Sequence, residues 1–430
     1  MRNVESQTLT KLWWRIVPLL ALVLLLNYLD KVNIGFASLQ MNQALQLSNT
    51  VFGFAAGLFA AGYAVAAIPS ALLLPRMGAR RWMSALMVVW GLCSAATALV
   101  ATRSELLVAR IALGVAEAGF TPGVLLYMTY WFPSEYRGRV LGSFLLILPL
   151  SIVVGGPISA ALLSWDGLLG LAGWKWLFLL EGLPTVLLAS LVWLLLADGP
   201  REAHWLADSE KNWLTEQLDA DARRVTAAPG HIAGWRALLS PKLAMLALVY
   251  LSITTSGTGA IIFLPLVIRS MGFSIAHTGI VAALPALLAT FALPLWGVWT
   301  DRSRTRETVV AATCFSLALG LLGTAALLPS PWALVPLTIA FIGFFGSTVP
   351  FWTLPPTFLT GAVAAAGIAT INIAGNLGNF SGPTLLGWLS DSMHSYGAGL
   401  AAVAIPAAAA GVFLSYAGMN FSNQSTARVA

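Results

Sequence analysis

Runs of about twenty apolar residues recur along the whole chain, and this feature limits the possible folds more than any other. A run of that length matches a helix that crosses the hydrocarbon core of a bilayer. Backbone N–H and C=O groups in a bilayer must be bonded within the protein, so only helices and closed β-barrels span it. Barrel strands alternate polar and apolar residues, whereas the runs here are continuously apolar. The sequence therefore predicts an all-α membrane protein.

We count twelve such runs, separated by short polar loops and by one longer polar segment. They cover residues 16–38, 53–74, 82–101, 106–131, 139–163, 174–196, 243–268, 276–299, 308–328, 332–358, 365–389 and 397–418. We expect a six-helix bundle over residues 1–197, a cytoplasmic linker over 198–241 and a second six-helix bundle over 242–430. Only 9% of the residues are charged, against about 25% in soluble domains, which argues against a water-soluble enzyme.

Basic residues in the loops predict the orientation, because cytoplasmic loops carry the excess of Lys and Arg. With the N-terminus inside, only Arg103, Lys175 and Arg269 among the loop basic residues fall outside. Both termini are then cytoplasmic. The net charge of +6 follows from this topology, so we expect no nucleic-acid partner.

The two halves of the chain repeat. Gly156-Pro157 in the fifth span recurs as Gly382-Pro383 in the eleventh, 226 positions later, and the same offset aligns two basic loops. Twelve helices in two six-helix pseudo-repeats, joined by a long linker, are the layout of major facilitator transporters.

Four ionisable side chains lie inside spans of the first half: Asp30, Lys31, Arg110 and Glu117. Counting about 1.5 Å per residue puts Asp30 and Arg110 at a similar depth, as a pair, and Glu117 near the midplane. The aligned positions of the second half carry no charge. This asymmetry favours a proton-handling function over a structural ion pair, because charges in a span are costly. For Lys31 two interpretations stay open: a functional role, or a side chain that reaches toward the membrane interface.

Neutral polar and aromatic residues in other spans are candidates for substrate contacts. They are Tyr63, Trp352, Asn372 and Asn376. The alternative for each is a contact between helices, and the choice stays open. Glu181 lies a turn or two below the outer surface, and we expect a structural partner role for it.

Two cytoplasmic loops carry arginines that can hold a gate closed across the two halves. The candidate latch residues are Arg76, Arg80, Asp301 and Arg302. Membrane topology alone explains the arginines but does not explain Asp301.

Signatures of enzymes, metal sites and nucleotide sites are absent from the sequence. We therefore expect no enzymatic activity, no metal and no cofactor. Without a nucleotide site, transport must be driven by a gradient or by exchange.

Several stretches resemble the anion:cation symporter branch of the major facilitator superfamily. They read NYLDKVNIGFA, ARIALGVAEAGFTPG, WFPSEYRGR and INIAGNLGNFSGP. Similar members of that branch are bacterial importers of tartrate, phthalate, hydroxyphenylacetate and sugar acids. The resemblance implies proton-coupled import of a small organic carboxylate across the bacterial inner membrane.

The resemblance also implies roles for individual residues. Asp30 and Glu117 take the positions that serve proton coupling in that branch. Lys31 takes the position that contacts the substrate carboxylate, while Arg110 and Tyr63 match its fourth-span arginine and second-span tyrosine. The branch usually has Arg where Lys31 stands, which puts the affinity and the identity of the substrate in question.

The sequence thus favours a monomeric, proton-coupled importer of an organic anion that works by alternating access. A substrate carboxylate would dock on Lys31 and Arg110, and protonation of Asp30 and Glu117 would permit the inward turn. An anion exchanger, an efflux carrier, a membrane sensor that binds the acid, and coupling to sodium are the alternatives.

Overall fold

The computed structural model describes residues 2–227, 240–303, 305–357 and 361–426. Residues 228–239, which belong to the predicted linker, lie outside the described residues.

The described part of the first half contains eight helices. They are α1 (Arg2–Ala44), α2 (Asn49–Met77), α3 (Ala79–Thr97), α4 (Arg103–Glu117), α5 (Phe120–Trp131), α6 (Ser134–Leu145), α7 (Ile147–Leu163) and α8 (Gly173–Leu195). The remainder contains α9 (Asp208–Ala227), α10 (Pro241–Ser270), α11 (Ile275–Arg302), α12 (Arg306–Leu327), α13 (Leu334–Trp352), α14 (Gly361–Ser392) and α15 (Tyr396–Thr426).

Prolines break two of the predicted spans into pairs of helices. Pro122 has no N–H for the carbonyl of Ala118, and α4 gives way to α5 at that point. Pro149 likewise leaves the carbonyl of Leu145 free where α6 ends. The fourth span is therefore α4 with α5, and the fifth is α6 with α7. With α9 in the linker, the helices form the predicted twelve-span, all-α fold.

The predicted repeat appears in the packing between the halves. A Cβ atom on Gly53 of α2 would collide with the carbonyl of Pro383 on α14. A Cβ atom on Gly279 of α11 would collide with the carbonyl of Gly156 on α7. Gly53 and Gly279 are related by the same offset of 226 found in the sequence. Two equivalent backbone contacts therefore join the halves around a pseudo-twofold axis.

These contacts cluster at one end of the bundle, which we call the closed end. Asp391 at the end of α14 accepts hydrogen bonds from the backbone N–H groups of Asn49 and Thr50, at 3.1 and 2.7 Å. Their side chains donate to the same carboxylate, at 2.9 and 2.6 Å. The start of α2 is thus capped by a residue of the other half.

Toward the opposite end, which carries the linker, α2 and α14 both expose side chains. Val65 and Ile68 of α2 are 76% and 67% exposed. On α14, Asn372 and Ile373 are also exposed. With the orientation predicted from the loop charges, the closed end would face the outside.

Helix α9 lies in the linker and packs on the first half. Lys11 Nζ is 2.8 Å from both carboxylate oxygens of Glu210, and the N–H of Ala207 donates to Glu210 at 2.8 Å. Partial burial alone raises the pKa of Glu210. The hydrogen bonds from Lys11 and Ala207 outweigh it and lower this pKa below the ordinary value. Helix α9 is therefore fixed to α1 by an ionised carboxylate.

Candidate substrate and proton site

Polar side chains one helical turn apart collect in the middle of α1. Asn27, Asp30 and Asn33 are at most 2% exposed. Burial of such groups in an apolar bundle costs several kcal/mol unless each finds a partner. The partners come from α1 itself and from α3, α4 and α8, so this part of α1 is the centre of the site.

Lys31, Asn27 and Glu117 form one closed group of polar contacts. Lys31 Nζ donates to Asn27 Oδ1 at 2.8 Å and lies 3.5 Å from Glu117 Oε2. Asn27 Nδ2 donates to the same Glu117 oxygen at 2.7 Å. The lysine is thus directed toward the carboxylate of α4 and not toward the membrane interface.

Two tyrosine rings border Lys31. Its Nζ lies 5.1 Å from the ring centre of Tyr28 and 5.7 Å from that of Tyr63, within the range of cation–π attraction. The Lys31 side chain is 23% exposed, whereas that of Glu117 is 0% exposed. Lys31 is therefore the cation of this cluster that an anion can approach, and Tyr63 lies beside it.

Arg110 is buried deeper, at 1% exposure, beneath the ring of Phe59 at 5.2 Å. Its Nε and Nη1 atoms have no hydrogen-bond partner. The direct Asp30–Arg110 pair expected from depth is not formed, because Oδ1 of Asp30 instead accepts from Ser94 and Asn33. Arg110 acts on Asp30 and Glu117 through its charge without contact. Contact between Arg110 and a substrate stays a prediction for another conformation.

The close approach of α2 to α4 explains why Phe59 covers the arginine. A Cβ atom on Gly62 or Gly114 would collide with backbone atoms of the facing helix, namely those of Ile111 and Phe59. Both positions therefore require glycine for this packing. The contact brings the aromatic face of α2, including Tyr63, over the charged face of α4.

The candidate residues of the second half are neutral and face more open space. Asn372 is exposed, and Asn376 and Trp352 are half-buried. The ring of Trp352 packs edge-on against Tyr250 at 5.3 Å. Asn379, one turn further along α14, is already engaged by Thr258 at 2.7 Å. Contact of Asn372, Asn376 and Trp352 with a ligand stays a prediction.

The candidate latch residues do not meet across the halves in this conformation, as far as the structure describes them. Arg80 Nε is 3.4 Å from Asp198 of its own half, and its Nη1 donates to the carbonyl of Leu196. Arg76, Asp301 and Arg302 are exposed. The latch therefore stays a prediction for another conformation.

Asn27, Asn33 and Ser94 belong to the site but have no predicted role. Asn27 and Asn33 each lie three positions from Asp30, a spacing that puts residues on neighbouring parts of a helix face and so signals a shared site. Ser94 gives no such signal, because it reaches Asp30 from another helix.

The arrangement combines an accessible cation with buried carboxyl groups that have room for a proton. Oδ2 of Asp30 and Oε1 of Glu117 have no hydrogen-bond partner. Each is a vacant position where a proton can bind, and burial favours neutral forms. A carboxylate ligand and a proton can therefore bind within one connected cluster.

Comparison with known proteins places the chain among membrane transporters. Residues 20–383 match the sequence profile described as the Major Facilitator Superfamily. A protein of Agrobacterium vitis that bears a provisional name as a tartrate transporter is 42% identical over 404 residues, 94% of this chain and 89% of that protein. A quinolone resistance transporter of Acinetobacter baumannii is 37% identical over 405 residues, 93% of this chain and 92% of that protein.

Solved structures share the architecture at low sequence identity. A bacterial homologue of the human lysosomal transporter Spinster superimposes with a TM-score of 0.73 at 18% identity, over 97% of each chain. A D-xylose-proton symporter also gives 0.73, at 16% identity, over 93% of this chain and 97% of the other. At these identities the likeness is one of fold.

Proposed function

Because this chain belongs to the Major Facilitator Superfamily and is a membrane transporter, we propose that it imports a small organic carboxylate with protons by alternating access. The observation that carries the proposal is the contact between Lys31, which is partly open to an incoming anion, and the buried carboxyl of Glu117 at 3.5 Å. A single group thereby joins the anion site to a proton site.

Competition for Lys31 provides the coupling. A substrate carboxylate that pairs with Lys31 weakens its interaction with Glu117. The buried Glu117 then has no cation beside it, and an unpaired buried charge is costly. Proton uptake by Glu117 removes that cost. Substrate and proton therefore stabilise each other's binding, as symport requires.

Asp30 and Arg110 form the second part of the coupling group. Asp30 accepts hydrogen bonds from Ser94 and Asn33 on one carboxylate oxygen, while its other oxygen has no hydrogen-bond partner. Protonation of Asp30 releases the charge attraction of Arg110. The arginine is then free to turn toward a bound carboxylate in the occluded state.

The substrate is proposed to be a hydroxylated organic acid such as tartrate. Two relatives, 42% and 41% identical, bear provisional names as tartrate transporters. The neutral residues Asn372 and Asn376 offer hydrogen bonds to hydroxyl groups, opposite the cation of the first half. The proposal includes a monomer in the bacterial inner membrane with both termini in the cytoplasm.

An efflux carrier or anion exchanger is the second candidate. The relative from Acinetobacter baumannii bears the name of a quinolone resistance transporter, and the same cluster can serve outward movement. The direction of net flux distinguishes the two.

Uptake by proteoliposomes tests the proposal. Purified protein is reconstituted and offered labelled tartrate, phthalate, hydroxyphenylacetate and sugar acids, with an inward proton gradient, a collapsed one, or a sodium gradient. Uphill accumulation only with the proton gradient supports symport. Accumulation that ignores the gradient but needs an internal anion supports an exchanger. Sodium-driven uptake at constant pH contradicts proton coupling.

Replacement of Glu117 by Gln separates coupling from binding. Gln retains the hydrogen bond with Asn27 but cannot release a proton. We expect Glu117→Gln to abolish uphill uptake while counterflow exchange of labelled for unlabelled substrate continues. An identical change at the exposed Glu216 of α9 is the control. Proton-driven accumulation by Glu117→Gln would remove Glu117 from the coupling mechanism.

A further inference from the structure

A third buried carboxyl group adjoins the site and has no part in the mechanism above. Glu181 on α8 is 7% exposed. Its Oε2 accepts a hydrogen bond of 2.9 Å from Asn33 Nδ2, and the same nitrogen donates to Asp30 Oδ1 at 3.0 Å. One amide group therefore links carboxyl groups from α1 and α8.

Tight packing of α3 against α8 holds Glu181 at this depth. A Cβ atom on Gly182 would lie 2.6 Å from the carbonyl oxygen of Gly91, so the two backbones touch. Ser94, about one turn beyond Gly91, donates to Asp30. Glu181 is thereby placed level with the coupling group, within hydrogen-bond distance of Asn33.

The number of charges requires a proton in this cluster. Asp30, Glu117 and Glu181 are three potential negative charges, whereas Lys31 and Arg110 are two positive ones. With every group ionised the cluster has one excess negative charge. An uncompensated charge in a desolvated site costs several kcal/mol. One proton on one carboxyl group makes the cluster neutral.

The distribution of partners identifies which carboxyl group carries it. The carboxyl groups of Asp30 and Glu117 adjoin each other, but two cations balance this pair: Lys31 lies 3.5 Å from Glu117, and the charge of Arg110 acts on both. Asp30 also has two donors on one oxygen. Glu181 shares the amide group of Asn33 with Asp30, and its Oε1 has no hydrogen-bond partner. Among the described residues no ion pair joins Glu181 to a cation.

We propose that Glu181 is a third proton-binding residue of the site, and that it carries a proton when the site is empty of substrate. The proposal deepens the coupling part of the proposed function and rests on it for what the proton does. A substrate carboxylate at Lys31 adds a second excess negative charge, which draws a second proton onto Glu117. Proton uptake then equals one per substrate carboxylate, while the proton on Glu181 stays in place.

The groups that face Glu181 are consistent with this role. From α1 the charged neighbour is Asp30. At this level α3 offers the hydroxyl of Ser94 and the thiol of Cys93, and the sequence of α7 contains no ionisable residue. No neighbouring element therefore supplies a cation that would keep Glu181 ionised.

Infrared spectroscopy of the purified, substrate-free protein tests the proposal. A neutral buried carboxyl group gives a carboxylic-acid C=O band that ionised groups lack. We expect this band in wild-type protein at pH 7, and we expect it to shift when Glu, but not Asp, carries carbon-13 in its carboxyl group. The wild-type measurement needs no variant to fold.

Variants then assign the band. Glu181→Gln should lose the signal of one carboxylic acid, whereas the matched Glu216→Gln, which leaves the charges of the cluster unchanged, should retain it. An unchanged band in Glu181→Gln, or a band that shifts with labelled Asp, overturns the proposal. No substrate is present, so this result does not depend on organic-anion transport. Failure of the uptake experiment would instead contradict the proposed function.

Discussion

Lys31 is the residue on which we expect substrate binding to depend most directly. It combines partial exposure with contacts to Asn27, Glu117 and the Tyr28 and Tyr63 rings. A lysine presents a compact charge, whereas an arginine presents a planar fork. The small gap between two rings and an amide therefore suits the lysine that stands here.

Substitution of Lys31 separates charge from shape. We expect Lys31→Gln to raise the KM for uptake about 10- to 150-fold, since a charge-assisted hydrogen bond contributes about 1.5–3 kcal/mol. Lys31→Arg should keep uptake within about tenfold of wild type, because the charge remains. Initial rates over a range of substrate concentrations measure both. A KM in Lys31→Gln equal to that of wild type would exclude Lys31 as the anion contact.

Single residues were predictable where helix spacing signalled them. Charges in apolar spans marked Asp30, Lys31, Arg110 and Glu117, because such residues are costly in a membrane. The contacts among them were not predictable. Lys31 pairs with Glu117 and leaves Asp30 to Ser94, a choice that depends on the side-chain packing of four helices.

Contact between α2 and α14 closes one end of the molecule. A Cβ atom on Gly57 would lie 2.7 Å from the carbonyl oxygen of Phe380. We expect Gly57→Val to disfavour the closed end by about 1–3 kcal/mol, as overpacking does, and to reduce transport about tenfold or more. Gly297→Val is the control, since a Cβ atom there meets nothing within 4 Å.

Spin labels on the outer ends of α2 and α14 report the outcome for Gly57→Val. The distance between them should increase relative to wild type, while the control keeps the wild-type distance. Equal distances in all three proteins would show that the glycine contact does not govern closure.

Helix α9 provides an element-level test at the linker. The lowered pKa of Glu210 means that its carboxylate stabilises docking above the ordinary glutamate pKa of about 4.3. This stabilisation is lost as pH falls through the lower pKa of the docked state. Because Lys11 is 46% exposed, we expect Glu210→Gln to cost only about 0.5–1 kcal/mol.

Hydrogen exchange of α9 measures that docking. At neutral pH, exchange should be faster in Glu210→Gln than in wild type, and Glu216→Gln should resemble wild type. Once the pH falls below the lowered pKa of docked Glu210, wild type and Glu210→Gln should converge. A difference that persists unchanged at acidic pH would mean that the ion pair with Lys11 does not fix the helix.

The element pattern was largely predictable, because span length and apolar content determine which segments become helices. The breaks at Pro122 and Pro149 follow from proline chemistry, but their effect on two spans appeared only in the structure. The sequence repeat also extended to packing, since Gly53 and Gly279 are equivalent contacts. The conformational state was not predictable, because one sequence must support several states of a transport cycle.

For the whole molecule, alternating access requires the closed end to open in every cycle. Asp391 is the group that joins the halves there, through hydrogen bonds to both Asn49 and Thr50. Thr50 Oγ1 lies 2.6 Å from the Asp391 carboxylate, so cysteines at these two positions are within reach of a short, cleavable bifunctional thiol reagent. The free Cys93 and Cys314 are first replaced by alanine.

Cross-linking of Thr50→Cys with Asp391→Cys should abolish net uptake, and cleavage of the cross-link should restore it. Each single variant, treated with the same reagent, should transport equally well before and after treatment. Labelling of Asn372→Cys from the cytoplasmic side should continue in the cross-linked protein, because Asn372 is already exposed while the other end is closed. Transport that survives the cross-link would mean that substrate does not enter between α2 and α14. The organic anion would then need another path through the bundle.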